Sequence, residues 1–312
     1  MKLSMASSGL NYYLETGVDR KTGLKALRDC GFTCVDYEVT DSMLGEELVQ
    51  CAEETKQMLS ELGLTAPQGH APMYNPLNPP EGMDVIDLYT RTLRFCKIAG
   101  IPQVVIHPGA VEGNTREEFF EKNVAFFKQL IPAAEETGVV ILIENIGHYA
   151  NPYFLWNGAD LRQMIDMVGH PLFAACWDVG HANLFYSKDC NQYDSIVALG
   201  DKLAALHVHD NCGYFSETYR QHRIDNHTIP FASCYTSVSF DAVLQGLKDI
   251  GYKGTFNFET LFPSKKFVSN FTYQGEKVRT LQMLPLYLWQ KFNAVVYDMG
   301  RYMLETYGMF EE

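Results

Sequence analysis

The sequence predicts an α/β protein built as a single (β/α)8 or TIM barrel with a C-terminal helical extension. Short β-rich runs alternate with longer runs of helical spacing, the order typical of a parallel sheet covered by helices. The alternation recurs about eight times in roughly 250 residues, the usual size of such a barrel. Ionisable residues end the later strands, at the rim where these barrels carry their chemistry.

Eight strands are predicted, in the order KLSMAS (2–7), FTCVDYE (32–38), LTAPQGH (64–70), PQVVIH (102–107), VVILIE (139–144), PLFAACWD (171–178), LAALHVH (203–209) and YKGTFNFE (252–259). The segments between them, such as EELVQCAEETKQMLSELG, are apolar on one helical face and close on glycine, which helix C-termini prefer. No linker or low-complexity tract interrupts the pattern. The barrel is therefore predicted to span residues 1–269.

Residues 270–312 are predicted to form the helical extension. Its sequence indicates two helices divided near Pro285, since proline interrupts a helix. Aromatic and methionine side chains are frequent in it, so it would pack on the barrel or line a subunit interface of a homodimer.

Composition and charge narrow the class of protein. The 312 residues include 25 basic and 38 acidic ones, a formal charge of −13, so bulk charge would not hold nucleic acid or an anionic membrane. No stretch has the length of a membrane span, and the first residues lack the apolar core of a secretory signal. The eight scattered cysteines form no CxxC pair and are interpreted as reduced thiols. We therefore expect a cytoplasmic protein.

The segment LHVHDN at 206–211 locates the chemistry. Because side chains alternate along a strand, His207 and His209 point into the barrel, and His209 reaches the rim. Other predicted strands also end in metal-binding residue types, about one βα unit apart: His70, His107, Glu144, Asp178 and Glu259. One such residue alone commonly caps a helix. Six in succession favour a shared metal site.

Loop residues add further ligand types. His181 follows the sixth strand, and Asp225 and His227 follow the seventh. His207 lies one layer deeper than His209, where we expect packing or support of a ligand. Glu38 ends the second strand and fits a structural ion pair as well as a substrate contact. Mixed carboxylate and imidazole ligands suit Mn²⁺, Co²⁺, Zn²⁺ or Fe²⁺ rather than Mg²⁺.

At these residues the sequence resembles the xylose-isomerase-like barrel superfamily. This group contains sugar and sugar-phosphate isomerases, ketose 3-epimerases, hydroxypyruvate isomerase, the inositol-catabolic dehydratase and endonuclease IV. The resemblance covers residues 1 to about 262, and its most specific motifs are IEN (143–145), DVGH (178–181), HVHDN (207–211), DNH (225–227) and FET (258–260).

The isomerase and epimerase branch implies a divalent-metal-dependent sugar or sugar-phosphate isomerase or epimerase. The resemblance assigns one metal ion to Glu144, Asp178, His209 and Glu259. It also makes Glu144 and Glu259 the carboxylates that remove and return a substrate proton, and it gives His181 a hydrogen bond to a substrate oxygen. The ion would stabilise the enediolate formed when that proton leaves carbon. The 3-epimerases carry an arginine six residues after the metal histidine, where this chain has Phe215.

Endonuclease IV implies the alternative, a hydrolase of phosphodiesters with up to three zinc ions. Its ligands correspond to nine residues of this chain: His70, His107, Glu144, Asp178, His181, His209, Asp225, His227 and Glu259. Two of its motif features are absent here, the SK after HxND and the arginine between the aspartate and the histidine of the loop. A dehydratase of the same superfamily, and a barrel that binds metal without turnover, are further alternatives.

The loops after strands two to five favour a small molecule over a nucleic acid. They contain no lysine or arginine to contact phosphates, on which affinity for DNA largely depends. They contain aromatic residues that suit the apolar faces of a polyol or ordinary packing: Tyr74, Tyr149, Tyr153, Phe154 and Trp156. We expect a carbohydrate or polyol-derived substrate, with its identity, its phosphorylation and the reaction type left open.

Overall fold

The computed structural model describes residues 1–146, 154–184, 192–213, 225–232, 236–261, 272–277 and 284–312. Eight parallel strands form its centre: β1 (Leu3–Ala6), β2 (Cys34–Glu38), β3 (Thr65–His70), β4 (Gln103–Ile106), β5 (Val140–Glu144), β6 (Phe173–Asp178), β7 (Leu203–His207) and β8 (Phe256–Phe258). They pair in the order β7-β6-β5-β4-β3-β2-β1-β8. Val208 bridges Phe258 and closes the ring, with its N–H 2.8 Å from the Asn257 carbonyl oxygen. The predicted barrel is confirmed.

The described helices surround the strands. They are α1 (Asn11–Leu14), α2 (Arg20–Asp29), α3 (Leu48–Glu61), α4 (Val85–Ala99), α5 (Arg116–Gln129), α6 (Ile131–Thr137), α7 (Gly158–Val168), α8 (Val179–Asn183), α9 (Gln192–Leu199), α10 (Phe240–Asp249) and α11 (Leu286–Thr306). Each predicted strand is present but shorter, since its outer residues leave the hydrogen-bonded ladder. His107, His209 and Glu259 consequently lie just beyond their strands, at the rim.

On strands β4 to β7 the inward-facing side chains form two layers. Val105, Leu142, Cys176 and Ala205 are fully buried and form an apolar cluster, here called the lower layer. Two residues further along the same strands come His107, Glu144, Asp178 and His207, here called the upper layer. Because residues two apart on a strand share a face, the same inward positions carry first packing and then ionisable side chains.

In the C-terminal segment the prediction of two helices is corrected: the structure has a β-hairpin before Pro285 and one helix after it. Thr272–Tyr273 (β9) and Glu276–Lys277 (β10) form a short antiparallel hairpin, and α11 follows Pro285. The hairpin turn has φ of 51° at Gln274 and 83° at Gly275, the left-handed pair of a tight turn that helical spacing does not reveal. Residues 278–283 lie outside the described part of the chain.

Helix α11 packs against the barrel. Trp289 is 1% exposed and lies 5.5 Å from Tyr13, centroid to centroid. At Gly300 a Cβ would lie 2.5 Å from the Phe258 ring, so glycine permits the close approach of α11 to β8. The helix also contacts α2 and β1, the place of the eighth helix of such a barrel. The boundary at residue 270 and the homodimer stay predictions.

Two further expectations concern membrane-spanning helices and the state of the cysteines. No helix among them combines the length and the apolar character needed to cross a membrane. The described cysteines, Cys30, Cys34, Cys51, Cys96, Cys176 and Cys212, are all free thiols. Cys190 and Cys234 lie outside the described residues.

Candidate metal and acid–base site

All nine predicted ligand residues lie at the carboxyl end of the barrel strands. Their ligand atoms fall into groups within which every atom lies within 4.8 Å of the others: His70, His107 and Glu144; Glu144, Asp178, His207 and Glu259; His181, His209, Asp225 and His227. His209 is grouped with the loop residues, but its Nε2 lies 3.1 Å from Asp178 Oδ1. Asp178 therefore links the central group to His209.

The first group joins strands β3, β4 and β5. His107 Nε2 lies 2.9 Å from Glu144 Oε2 and 3.1 Å from His70 Nε2. The Ala71 carbonyl, 2.8 Å from His70 Nδ1, fixes the His70 ring so that Nε2 faces the carboxylate. Burial disfavours the charged form, but the hydrogen bond and the charge of Glu144 raise the pKa of His70 to about 9. Burial lowers the pKa of His107.

The central group brings together both predicted acid–base glutamates. His207 Nδ1 lies 3.2 Å from Glu144 Oε1 and 3.2 Å from Glu259 Oε2. Glu144 is 1% exposed, whereas Glu259 retains more exposure. Burial would raise the pKa of Glu144, yet the charges of His207 and His107 hold it well below its usual range. Glu144 is therefore ionised at neutral pH.

Asp36, a residue that no sequence motif indicated, contacts His207 on the side away from the two glutamates. Asp36 is 2% exposed, and its Oδ2 lies 3.0 Å from His207 Nε2. The same oxygen accepts hydrogen bonds from Gln68 Nε2 at 2.8 Å and Asn257 Nδ2 at 3.2 Å. A carboxylate behind an imidazole fixes the orientation of the ring. The inward alternation of Asp36 within β2 is the signal that could have revealed it.

The third group lies in the loop after β7 and in α8. Asp225 Oδ2 lies 2.9 Å from His181 Nε2 and 3.1 Å from His227 Nε2. Burial would raise the pKa of Asp225, but the charges and hydrogen bonds of the two histidines hold it far below its usual range. The His209 ring stacks on His227 with centroids 3.8 Å apart. These contacts place one carboxylate among three imidazoles.

The donor set fits a divalent metal ion. Asp225 Oδ1 is buried, has no hydrogen-bond partner among the described residues and lies 3.8 Å from His209 Nε2. An unsatisfied buried carboxylate oxygen is costly, and a coordinated cation would satisfy it. Burial would lower the pKa of His181, but the charges of Asp178 and Asp225 raise it well above its usual range, so these carboxylates favour positive charge beside them. The predicted ligands and His207 are therefore groups that could hold a cation.

The DN that follows His209 holds the loop in place. Asp210 is 2% exposed, and its carboxylate accepts hydrogen bonds from the backbone N–H groups of Asn211, Phe231, Ser237 and Val238. Its own backbone pairs with Thr228 in both directions. The anchored loop carries His227 and Phe231 at φ of 42° and 57°, a left-handed conformation rare for such residues. The hydrogen bonds to Asp210 hold this loop in place and so maintain the left-handed backbone at His227 and Phe231.

The DVGH motif positions α8 against the site. Asp178 caps the helix by accepting the N–H of His181 at 2.6 Å. Asn145, the last residue of IEN, accepts the N–H of Asp178 and donates to its carbonyl. A Cβ at Gly180 would lie 1.9 Å from His209 Cε1, so only glycine lets the helix pass over that ring.

Other residues singled out in the sequence make contacts outside the ligand groups or lie outside the described residues. Phe154 is partly buried and packs against the core, with its ring centroid 5.6 Å from that of Phe119 and 5.9 Å from that of Trp156, which is the ordinary packing left open above. Tyr74 donates its hydroxyl to Asp41. Glu38 accepts a hydrogen bond from the Asn11 side-chain amide and forms no ion pair with any described residue. Tyr149, Tyr153 and Phe215 lie outside the described residues.

A family model for the xylose isomerase-like TIM barrel matches residues 24–277, so the chain belongs to this family. It is 24% identical over 159 residues to an uncharacterized protein, MJ1311, of Methanocaldococcus jannaschii, with 50% of each chain covered. It is 27% identical over 134 residues to a probable endonuclease 4 of Citrifermentans bemidjiense, covering 39% of this chain and 46% of that relative. The chain thus matches half or less of the length of these two curated relatives.

Solved structures share the fold over nearly the whole chain. The IolI protein with a bound zinc atom superposes with a TM-score of 0.72 at 17% identity, covering 100% of both chains. A D-tagatose 3-epimerase-like protein gives 0.71 at 17% identity, covering 99% of this chain and 98% of the other. D-psicose 3-epimerase in the presence of D-fructose gives 0.70 at 15% identity, with 97% and 99% covered.

Proposed function

We propose that this member of the xylose isomerase-like TIM-barrel family is a divalent-metal-dependent isomerase or epimerase of a small sugar or sugar phosphate. The observation that carries the proposal is the approach of Glu144 and Glu259 to the same atom, His207 Nδ1, at 3.2 Å each. Two carboxylates at one point of the rim are what proton removal and return at carbon require. The sugar epimerases among the solved structures of this fold support the same class.

Glu144, Asp178, His209 and Glu259 would hold the ion. When bound, it would supply Lewis-acid stabilisation of the negative charge that develops on substrate oxygens. The mixture of carboxylate and imidazole donors favours Mn²⁺, Co²⁺, Zn²⁺ or Fe²⁺ over Mg²⁺. The zinc atom of the IolI structure supports a metal of this kind.

The two glutamates divide the proton transfer. One carboxylate takes the proton from the substrate carbon while the electron pair moves into the adjacent carbonyl. The other returns a proton to the opposite face of the same carbon, which is epimerisation, or to the former carbonyl carbon, which is isomerisation. Isomerisation also moves the proton of the adjacent hydroxyl to the former carbonyl oxygen, so that the carbonyl changes place. His181 is held through Nδ1 by the Asn145 carbonyl at 2.9 Å, and its Nε2 lies 2.9 Å from Asp225 Oδ2. A substrate oxygen would take the place of Asp225 as the partner of Nε2.

Hydrogen exchange tests the proposal. Purified metal-replete protein is incubated in deuterated water with D-fructose, D-tagatose, D-psicose and their phosphates, and deuterium at carbon is followed by NMR. We expect deuterium next to the carbonyl of at least one sugar, together with an isomer or epimer of it. Loss of water from the sugar would instead identify the dehydratase. No exchange with any sugar under metal-replete conditions would refute the proposal.

The second candidate is a zinc-dependent phosphodiesterase. It is favoured by the two additional ligand groups, one containing His70 and His107 and the other containing Asp225 and His227, and by the partial similarity to a probable endonuclease 4. It requires about three zinc ions per chain and predicts cleavage of an abasic-site DNA duplex. Cleavage by the zinc-loaded chain would replace the isomerase, whereas a chain that binds only one ion in excess zinc and cleaves no abasic DNA would exclude the hydrolase.

The same function implies a cellular role. We propose that the protein binds a small carbohydrate rather than a nucleic acid or a membrane, and that it acts in the cytoplasm in carbohydrate metabolism. A homodimer formed through residues 270–312 is part of the proposal. Cross-linking or light scattering of the purified chain would test it.

A further inference from the structure

A small cavity borders the site between the ends of β1 and β2. Its volume is about 20 Å³, room for a hydroxyl group or one water molecule. It is lined by Ala6, Ser7, Ser8, Asp36, Glu38, His70, Met73 and Glu259. Because Glu259 belongs to this wall, a group placed in the cavity would be attached close to the reacting carbon. The inference therefore rests on the proposed function of that glutamate.

Two residues of this lining have side-chain oxygens without a hydrogen-bond partner in the described part of the chain. Asp36 is 2% exposed and uses Oδ2 for three hydrogen bonds, but its Oδ1 is buried without a partner among the described residues. Ser8 Oγ is also buried and has no partner in the described part of the chain. Leaving such atoms unpaired is unfavourable, so they favour a ligand that offers a hydroxyl group.

The charge of the wall excludes an anion. Asp36, Glu38 and Glu259 contribute three carboxylates, and the lining residues include no lysine or arginine. His70 is the one lining residue that could carry positive charge, but its Nδ1 is engaged by the Ala71 carbonyl and its Nε2 faces His107 and Glu144. A phosphate in this cavity would meet the carboxylates of Asp36 and Glu38 with no lysine or arginine of the lining to pair with it, which is costly.

We propose that this cavity is the subsite for a terminal hydroxyl-bearing carbon, and that the substrate is a neutral polyhydroxy ketone without phosphate at that end. The hydroxyl donates to Asp36 Oδ1 or Glu38 and accepts from Ser8 Oγ. Glu38 keeps its position through Asn11 and through its own N–H, which donates to Ser7 Oγ at 2.8 Å. The site thereby selects between free sugars and sugar phosphates.

Paired ligands test the subsite. Calorimetric dissociation constants are measured for the metal-replete chain with D-fructose and D-tagatose and with the 1-phosphate and 6-phosphate of each. The phosphate at the end that enters the cavity should weaken binding by about tenfold or more relative to the free sugar. Glu38→Gln should reduce that preference severalfold, since it keeps the shape and removes one charge. Ser8→Ala should weaken binding of the free sugar by about threefold to tenfold.

Glu53→Gln is the matched control, because Glu53 is an exposed carboxylate on α3 outside the lining, and it should leave every constant unchanged. Equal or tighter binding of both phosphates of each sugar overturns the subsite, as does an unchanged preference in Glu38→Gln. Failure of all these ligands to bind also overturns it. A preserved preference without hydrogen exchange would contradict the proposed function alone.

Discussion

The two layers inside the barrel use the same strands for opposite purposes. Val105, Leu142, Cys176 and Ala205 of the lower layer are fully buried and apolar, and burying a side chain such as Leu142 stabilises the fold by about 1.5–3 kcal/mol. The upper layer, about 6.6 Å further along each strand, collects carboxylates and imidazoles whose burial costs free energy unless they are paired. The apolar packing that stabilises the fold and the side chains of the candidate metal site are therefore only two residues apart on each of these strands.

The comparison predicts that changes in the two layers have different consequences. A change in the upper layer should affect metal binding and turnover with little effect on unfolding. A change in the lower layer should do the reverse, because its side chains contact one another rather than the ligands.

The largest expected effect is on turnover in Glu259→Gln. Removing the carboxylate removes one of the two proton-transferring groups, so hydrogen exchange should fall by about 10²–10⁴-fold. The thermal unfolding midpoint should stay close to that of the parent chain, since Glu259 lies at the rim. Exchange by NMR and unfolding by circular dichroism measure both, with Glu53→Gln as the control. A variant that retains full exchange would remove Glu259 from the mechanism.

Leu142→Ala should give the opposite pattern. A cavity in the lower layer should lower the free energy of unfolding by about 2–5 kcal/mol. The metal content of the folded protein should be unchanged, because Leu142 contacts apolar neighbours. Denaturant unfolding and metal analysis at a temperature where the variant is folded test the separation. Loss of metal from the folded variant would show that the layers are not independent.

Gly180→Ala should weaken metal binding by about 10–100-fold, the usual size of an effect on the support of a ligand. The added Cβ would lie 1.9 Å from His209 Cε1, so the imidazole must move. Gly45→Ala is the matched control, because a Cβ there meets nothing within 4 Å. Metal affinity is measured by competition with a chelating dye. Equal affinities for the two variants would show that His209 is not a ligand.

The smallest expected effect is that of Asp36→Asn. The substitution leaves the packing intact but weakens the contact that orients His207, so turnover should fall by about tenfold. The loss should appear in kcat rather than in the folded fraction. Gln68→Glu removes the amide that donates to the same Asp36 oxygen and adds a negative charge beside it. It tests whether kcat depends on the charge near His207 or on the orientation of the His207 ring. Unchanged kcat in Asp36→Asn would make the Asp36–His207 pair purely structural.

The sequence predicts the features that depend on local periodicity. Alternation along β7 placed His207 and His209 inside the barrel, and the repeat of strand ends placed Glu144, Asp178 and Glu259 at one rim. Alternation within β2 could have placed Asp36 inside the barrel, but its contact with His207 joins residues 171 positions apart and depends on closure of the barrel. The hairpin at 272–277 was missed because the turn at Gln274 and Gly275 depends on backbone conformation rather than on helical spacing.

The decisive measurement is hydrogen exchange at the sugar carbon as metal is titrated back into chelator-treated protein. We expect no exchange without metal, and exchange that rises and saturates at about one Mn²⁺, Co²⁺, Zn²⁺ or Fe²⁺ ion per chain. Exchange by the metal-free chain would contradict a metal-dependent proton transfer. So would a chain that exchanges no sugar hydrogen at any metal loading and cleaves abasic DNA with three zinc ions bound.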